Sequence, residues 1–298
     1  MQSALAMLYP AQCVGCGEPV QETHGLCGKC WAETPFVTGH VCDKCGCPLP
    51  GDGDGATDLC DDCMEIARPW SRGRAALIYD GQGRRFVMGI KYYDRLDLVP
   101  PAASWMARAA RPFLTADLLV VPVPAHWTRV FKRRYNQAAE LARALARETG
   151  LDVAPTALLR PTRTPKQDRK SREERFANLA GRIVPHPKWG GALKDRSVLL
   201  VDDVFTSGAT LGAAAEACLT AGAREVFVLA LARAVKETKF FPKRRAGPRQ
   251  GKDERCNRSP STPNRIAAIA MPRNGCSHTR GSISPRSTFP ATRRSGAR

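Results

Sequence analysis

The stretch of residues 197–211, SVLLVDDVFTSGATL, decides the fold of this chain. Its four apolar residues at 198–201 are typical of a fully buried parallel strand, and the adjacent carboxylates Asp202 and Asp203 follow directly. A small, hydroxyl-rich turn at 206–210 then leads into an alanine-rich segment of helical composition. Because the backbone N–H groups of such a turn and a helix N-terminus can hold an anion, the stretch predicts a phosphate-binding site.

The acidic pair separates this stretch from an ordinary strand–helix loop, in which Gly and Ser are also common. Two neighbouring carboxylates disfavour each other's charge unless cations or hydroxyl groups occupy them. Asp202 and Asp203 are therefore the first candidates for ligand contact.

Further strands and helices alternate along the chain. Apolar runs at 75–79, 118–123 and 226–232 predict strands, and apolar positions at helical spacing predict helices at 83–93 and 136–148. This alternation predicts an α/β fold with a mostly parallel sheet flanked by helices. Ligands of such sheets bind at the C-terminal ends of the strands, where the acidic pair falls.

Cysteines dominate the N-terminal segment: nine of the twelve precede residue 64. Eight of them form four Cys-x-x-Cys pairs with the spacing of tetrahedral four-thiolate zinc sites, and Cys47 is left over. Sequence order predicts two structural sites, each made of two consecutive Cys-x-x-Cys pairs, although crossed pairing of the four pairs stays open. The candidate ligands are Cys13, Cys16, Cys27, Cys30, Cys42, Cys45, Cys60 and Cys63.

Disulfides and an iron–sulfur cluster are the alternatives to zinc, and two histidines are alternative ligands. A disulfide framework needs an oxidising compartment, and the sequence shows no export signal. An iron–sulfur cluster fits less well because the pairs repeat evenly, without a three-cysteine cluster run. His24 and His40 can substitute for a cysteine, but eight pairable thiols make surface positions the simpler interpretation.

Charge is distributed unevenly over the 298 residues, whose net charge is +18. Residues 1–70 carry −7, residues 71–242 carry +13 and residues 243–298 carry +12. The basic body suits a polyanionic ligand, or simply a solvated basic surface. With no apolar run of eighteen residues and no signal peptide, the sequence predicts a cytoplasmic protein without a membrane span.

The C-terminal segment is rich in Arg, Ser, Pro and Gly and lacks a periodic apolar pattern. We therefore expect residues 239–298 to form a basic, disordered tail. A nucleic-acid-binding tail and an out-of-frame segment are the alternatives. The expected domains are a double zinc ribbon at 8–68 and an α/β domain at 71–238.

The motif at 197–210 resembles the 5-phosphoribosyl-1-pyrophosphate (PRPP) motif of the type I phosphoribosyltransferases. The cysteine-paired head, followed by VPVPAHWTRVFKRRYNQAAELA, TPKQDRKSREERFANLAG and VLLVDDVFTSGAT, is similar to the competence protein F (ComF) family. Those proteins join a zinc ribbon to a phosphoribosyltransferase-like domain, and the resemblance covers residues 8 to 234.

The resemblance implies a role for each site residue. Asp202 and Asp203 would take the ribose hydroxyls with Mg²⁺, and the loop would hold the 5-phosphate of PRPP. Basic residues such as Arg134 and Lys166 would neutralise the leaving pyrophosphate. The cofactor-binding set is Asp202, Asp203, Val204, Phe205, Thr206, Ser207, Gly208, Ala209 and Thr210.

Two classes of function follow from the resemblance. As an enzyme, the protein would transfer a pentosyl group from PRPP to an acceptor. As a binding module, it would hold PRPP, a nucleotide or single-stranded DNA and serve DNA uptake alongside the competence machinery. Walker A, HExxH and GxSxG motifs are absent, which argues against an NTPase motor, a zincin and an α/β-hydrolase.

Overall fold

The computed structural model describes residues 10–53, 57–125, 135–161 and 181–235. Of the predicted features, Arg134, Lys166, the rest of the basic loop at 162–170 and the tail at 239–298 lie outside the described residues. Within the described part, every helix is too short or too polar to span a bilayer.

Strands and helices occur where the apolar patterns predict them. The strands are β1 (Arg72–Ile78), β2 (Leu118–Pro122), β3 (Asp152–Val153), β4 (Leu158–Leu159), β5 (Val184–Pro185), β6 (Ser197–Phe205) and β7 (Glu225–Arg233). The helices are α1 (Gly28–Glu33), α2 (Asp61–Glu65), α3 (Gly81–Tyr92), α4 (Val99–Ala110), α5 (Gln137–Thr149) and α6 (Ala209–Thr220). Short 3₁₀ turns occupy Leu96–Leu98, Arg111–Phe113 and Gly190–Leu193.

Five strands form one sheet in the order β1-β7-β6-β2-β3, and each of its pairs is parallel. Strands β4 and β5 form a separate antiparallel pair. The order reverses between β2 and β6, because β3 follows β2 to one side whereas β7 follows β6 to the other. Ligand crevices in such sheets lie outside the carboxyl ends of the strands at this reversal.

Helices cover both faces of the sheet, and each face has its own core. Because side chains alternate along a strand, Val198 and Leu200 belong to one core while Leu199 and Val201 belong to the other. The first core contains α6, and the second contains α3, α4 and α5. The predicted α/β class, with a parallel sheet flanked by helices, is confirmed.

Helix α4 is an element that the sequence analysis did not predict. It begins with Pro100 and Pro101 in its first turn, where proline is tolerated because the missing N–H would have no partner within the helix. Its buried face includes Ala103, Trp105 and Met106. Many of its contacts come from alanine, so its apolar periodicity is weak in the sequence.

The cysteine-rich segment straddles the β1 edge of the sheet. We call residues 13–30 the first knuckle and residues 42–63 the second knuckle. The first knuckle contributes Val14 to the core beneath α3 and α4, and the second contributes Cys42 and Cys45 to the core beneath α6. Between the knuckles, Phe36 forms an antiparallel bridge with Leu77 of β1. The segment thus covers an edge whose N–H and C=O groups would otherwise lack partners.

Close approach of the second knuckle to β1 depends on Gly73. A Cβ at this position would lie 2.4 Å from the backbone oxygen of Lys44 and 2.7 Å from a methyl group of Val228. We therefore expect Gly73→Ala to cost about 1–3 kcal/mol of the free energy of unfolding, because the chain must move to admit the methyl group. Thermal or denaturant unfolding measures this.

Gly191→Ala is the matched control, since nothing lies within 4 Å of a Cβ at Gly191. An equal effect of the two substitutions would contradict the close packing of the knuckle on β1.

Candidate functional site: an acidic strand end, an anion loop and two four-cysteine centres

The acidic pair lies inside strand β6, not after it as the sequence predicted. The last rung between β2 and β6 is the hydrogen bond from Val123 N–H to the Val201 carbonyl, 2.9 Å long. On the other side, β7 continues as far as Arg233, opposite Phe205. Over the described residues, β6 from Asp202 onward therefore pairs with β7 alone, and its β2 side is open.

Asp203 is neutralised by Lys91, which lies near the end of α3. The Lys91 ammonium is 2.8 Å from Oδ2 and 2.9 Å from Oδ1 of Asp203. Burial alone would lower the pKa of Lys91, but the charge of Asp203 and the hydrogen bond to it outweigh burial and raise that pKa. Both side chains are mostly buried, at 24% and 15% exposure.

The carboxyl group of Asp202 has a raised pKa. Burial, reinforced by the negative charge of Asp203, raises the pKa of Asp202 to about 7. The charge of Lys91 and the hydrogen bond that Asp202 Oδ1 accepts from Asp203 N–H, 2.8 Å long, act in the opposite direction. An oxygen ligand with this pKa can exchange a proton near neutral pH and can also bind a hard cation.

The predicted anion loop leads directly into helix α6. Gly208 takes the left-handed conformation, with φ of 83°, at the N-cap of α6. The Ser207 hydroxyl accepts a hydrogen bond from Ala209 N–H, 3.4 Å long. Thr206 is exposed and Thr210 is partly buried, so the loop combines accessible hydroxyl groups with a helix N-terminus.

Val204 and Phe205, which belong to the predicted cofactor-binding set, pack their side chains into the protein core. The Phe205 side chain is fully buried and stacks edge-on against Trp70, with ring centroids 5.8 Å apart. Val204 packs against the core that contains α3. A ligand at the loop would therefore meet the backbone of these residues and the side chains of Asp202 and Asp203.

Three side chains at this site have no role in the sequence analysis. The first is Lys91, which pairs with Asp203. Arg68 donates a hydrogen bond of 2.8 Å to the Ser207 carbonyl. Arg233 donates to the carbonyls of Phe205, at 3.1 Å, and Thr206, at 2.7 Å. An arginine after an ordinary apolar run gives no sequence signal for such a contact.

The eight predicted metal ligands form two clusters in sequence order. Within each cluster the four sulfur atoms lie within 4.8 Å of one another; the sets are Cys13, Cys16, Cys27, Cys30 and Cys42, Cys45, Cys60, Cys63. The structure thus resolves the pairing that spacing left open. His24 and His40 belong to neither cluster, and His40 instead lies 2.6 Å from Asp58.

The spacing of the thiols fits zinc. The Sγ atoms of Cys16 and Cys27 are 3.6 Å apart, and those of Cys45 and Cys60 are 3.5 Å apart. Four thiolates at about 2.3 Å from a tetrahedral zinc ion lie roughly 3.8 Å from one another. A disulfide would instead bring two sulfurs to about 2 Å. These clusters are closed sites, which hold a fold together.

Hydrogen bonds among the thiols divide the second cluster into two pairs. They lower the pKa of Cys45 and Cys60 and raise the pKa of Cys42 and Cys63. Thiolates are the form that binds zinc, so Cys45 and Cys60 are the two ligands that favour this form before metal binds.

A zinc ribbon fused to a parallel α/β sheet, with an acidic pair and an anion loop at the strand reversal, defines the class of this protein. Residues 4–64 match the family described as "Double zinc ribbon domain". Curated relatives extend the match beyond the ribbon. "Competence protein ComFC" of Bacillus subtilis is 26% identical over 205 residues, which cover 66% of this chain and 79% of the relative.

Two further relatives agree. "DNA utilization protein YhgH" of Salmonella typhi is 27% identical, with 76% of this chain and 99% of the relative covered. "Competence protein F" of Haemophilus influenzae is 24% identical, with 74% and 90% covered. The predicted resemblance to the competence protein F family is confirmed: the chain is a homologue of these proteins over most of its length.

Solved structures with a similar fold share less of the chain. One is glutamine PRPP amidotransferase of B. subtilis, at 17% identity and a TM-score of 0.34, with 49% of this chain and 30% of that chain covered. Another is purine phosphoribosyltransferase of Pyrococcus horikoshii, at 20% identity and a TM-score of 0.30, with 45% and 72% covered. This chain thus spans less than a third of the amidotransferase.

Metal content tests the two clusters. We expect about two zinc ions per chain in protein purified under reducing conditions, because each cluster supplies a complete set of four thiolates. Elemental analysis measures this. Iron with visible absorbance, or metal-free folded protein, would contradict the assignment.

The raised pKa of Asp202 predicts a pH dependence of stability. A carboxyl group whose pKa rises from 3.8 to about 7 on folding favours the folded state below its unfolded pKa. This contribution disappears as the pH rises through about 7, where the buried group must ionise. Without ligand, Asp202→Asn should therefore be more stable than the wild type near about pH 8 and similar to it near about pH 4.

Melting temperatures of the two proteins across this range measure the effect. A difference that does not change with pH would contradict the raised pKa.

Proposed function

We propose that the protein binds PRPP with Mg²⁺ at the carboxyl end of β6. The observation that carries the proposal is the placement of Asp202 and Asp203 on the open stretch of β6, immediately before a loop that caps α6. Carboxylates suit ribose hydroxyls, and a loop at a helix N-terminus suits a phosphate group. The two parts therefore match the two ends of a ribose 5-phosphate.

Each part of the site has its own task in this proposal. Asp202 and Asp203 accept hydrogen bonds from the ribose hydroxyls, and residues 206–210 hold the 5-phosphate through N–H and hydroxyl groups. The carboxylate oxygens of the pair are also the ligands that Mg²⁺ prefers, and Mg²⁺ would supply charge neutralisation for the pyrophosphate. Lys91 pairs with Asp203 and holds its carboxylate in place before the ligand arrives.

Arg134 and Lys166 remain proposed contacts to the pyrophosphate, and both lie outside the described residues. In a transferase, such cations would stabilise the leaving group, and catalysis would come mainly from charge stabilisation and positioning. Release of pyrophosphate from PRPP in the presence of a nucleophilic acceptor would extend the proposal from binding to pentosyl transfer.

A link to DNA handling is the second part of the proposal. The curated relatives are named for competence and DNA utilization. A body with a charge of +13 over residues 71–242 suits a polyanion as large as single-stranded DNA. Such binding should weaken steeply with salt and should not require Mg²⁺, which separates it experimentally from the PRPP site.

Substitution of the acidic pair tests the PRPP site. Asp202→Asn and Asp203→Asn keep the side-chain shape and remove the charge. Each should weaken PRPP binding by about ten- to a hundredfold, the loss of one charge-assisted contact of roughly 1.5–3 kcal/mol. Calorimetric titration of PRPP with Mg²⁺ measures the affinity. Asp203→Asn should also melt earlier, because it leaves the Lys91 ammonium without its carboxylate.

Asp195→Asn is the matched control. Asp195 is exposed and lies before the first residue of β6, at the opposite end of the strand, so its substitution should leave PRPP binding unchanged. If the acidic pair only stabilised the end of β6, its variants would change the melting temperature and bind PRPP normally. Wild-type protein that does not bind PRPP would refute the site.

A further inference from the structure

Three consecutive carbonyl groups of the anion loop are held by two buried arginines. Arg233 Nη1 donates to the carbonyls of Phe205 and Thr206, and Arg68 Nη1 donates to the carbonyl of Ser207. Arg233 is 3% exposed and Arg68 is 9% exposed. A charged guanidinium buried to this extent is retained at a considerable desolvation cost, so its contacts call for an explanation.

Holding these carbonyls fixes the direction of the loop's donors. In a trans peptide unit the C=O and the following N–H point in opposite directions. With the carbonyls of residues 205–207 turned toward the arginines, the N–H groups of Thr206, Ser207 and Gly208 are turned away from them. Among the described residues, none of these three N–H groups has a hydrogen-bond acceptor. Successive free N–H groups on one side form an anion-binding nest.

Arg233 also reaches the second four-cysteine centre, and Arg68 packs on the aromatic rings beside it. Arg233 Nη2 lies 3.9 Å from Sγ of Cys45, and its guanidinium lies 4.5 Å from the centre of the Phe205 ring. Arg68 packs over Phe205 and Trp70, at 5.8 and 5.5 Å. Cys45, Trp70 and Phe205 belong to one continuous core.

At Gly208 the loop backbone lies against both Arg68 and Phe205. A Cβ at Gly208 would lie 2.7 Å from Arg68 Nη1 and 2.8 Å from the Phe205 ring. A displacement of Arg68 or Phe205 must therefore move the loop backbone, because packed interiors have no room to absorb it.

Among the described residues, no hydrogen bond joins the first centre to a residue that holds the loop. A side-chain contact of its thiols with the α/β domain is the neutral amide of Gln82, whose Nε2 lies 3.6 Å from Sγ of Cys30. Gln82 is in α3, and the first knuckle packs into the core on the opposite face of the sheet from Cys45. Among the described residues, a change at the second centre can therefore reach the loop through Arg233, whereas the first centre has no contact with that arginine.

We propose that Arg233 and Arg68 are positioning residues that couple the centre Cys42/Cys45/Cys60/Cys63 to the anion loop. Metal at this centre keeps the thiolates and Arg233 in place, Arg233 keeps the loop carbonyls turned inward, and the N–H groups stay directed at the ligand. Because coupling between two sites is reciprocal in binding free energy, ligand at the loop strengthens metal binding at the second centre. We expect the more tightly bound metal to be released more slowly. The identity of the ligand rests on the function proposed above; the effect of Arg233 on metal retention does not.

The experiment measures metal release and anion binding on the full chain. Zinc release to a chromophoric chelator is followed in the wild type, Arg233→Lys and Arg68→Lys. Thiols that become free are alkylated and mapped by peptide mass spectrometry, which assigns each release phase to a centre. Arg143→Lys is the matched control, since Arg143 is an exposed residue of α5 paired with Glu140.

We expect Arg233→Lys to speed zinc release from the second centre by roughly three- to tenfold and to leave the first centre unchanged, because the planar fork that serves the thiolate and the carbonyls together is lost. Calorimetric titration with PRPP and Mg²⁺ should show binding weakened about tenfold in Arg233→Lys and Arg68→Lys. Arg143→Lys should match the wild type in both measurements.

The wild type alone provides an arm that does not depend on a variant folding. Saturating PRPP with Mg²⁺ should slow release from Cys42, Cys45, Cys60 and Cys63, but not from the first centre. If the wild type binds PRPP and release from the second centre is unaffected, the coupling is refuted. If the wild type does not bind PRPP, the proposed function fails, and faster release in Arg233→Lys still supports the link between Arg233 and the metal centre. Unchanged release in a folded Arg233→Lys overturns it.

Discussion

Strand β6 is hydrogen-bonded over a longer stretch to β7 than to β2, and the candidate site depends on this difference. Strand β2 stops pairing at Val201, whereas β7 continues beside β6 to Phe205. Among the described residues, those from Asp202 to Phe205 pair with β7 and with no strand on the β2 side. A backbone fixed from one side suits a ligand site, because the side chains are positioned before the ligand arrives. The reversal of strand order between β2 and β6 places this opening in the middle of the sheet.

Burying two adjacent carboxylates at this strand end costs free energy, and the two groups differ in how that cost is reduced. Lys91 neutralises Asp203 directly, while the pKa of Asp202 rises to about 7 and leaves that group easily protonated. Strained or destabilising arrangements of this kind cluster at functional sites, where the ligand relieves them. The two adjacent carboxylates are therefore unlike each other in the folded protein, although they are identical in the sequence.

The ribbon is packed into the α/β domain on both faces of the sheet. Its first knuckle lies against α3, which carries Lys91, and its second lies against Phe205 at the start of the anion loop. The segment between the knuckles closes the β1 edge through Phe36 and Leu77. Each metal centre thus stabilises a different support of the candidate site, and small ribbon segments with few large apolar residues depend on metal for their own stability.

The sequence by itself determined the elements and the chemistry that depends on neighbouring residues. The apolar run at 198–201, the helical periodicity at 136–148 and the Cys-x-x-Cys spacing predicted a buried strand, α5 and two metal centres, because each signal is local. Only the tertiary structure decided which Cys-x-x-Cys pairs form one metal centre and how far β6 extends past Val201. It also brings Lys91, Arg68 and Arg233 to the acidic strand end and its loop. Lys91 and Asp203 are 112 positions apart, and Arg68 and Ser207 are 139 positions apart. Contacts over such separations arise from the order of strands in the sheet and from the side on which each helix packs, and no periodicity in a single chain records them.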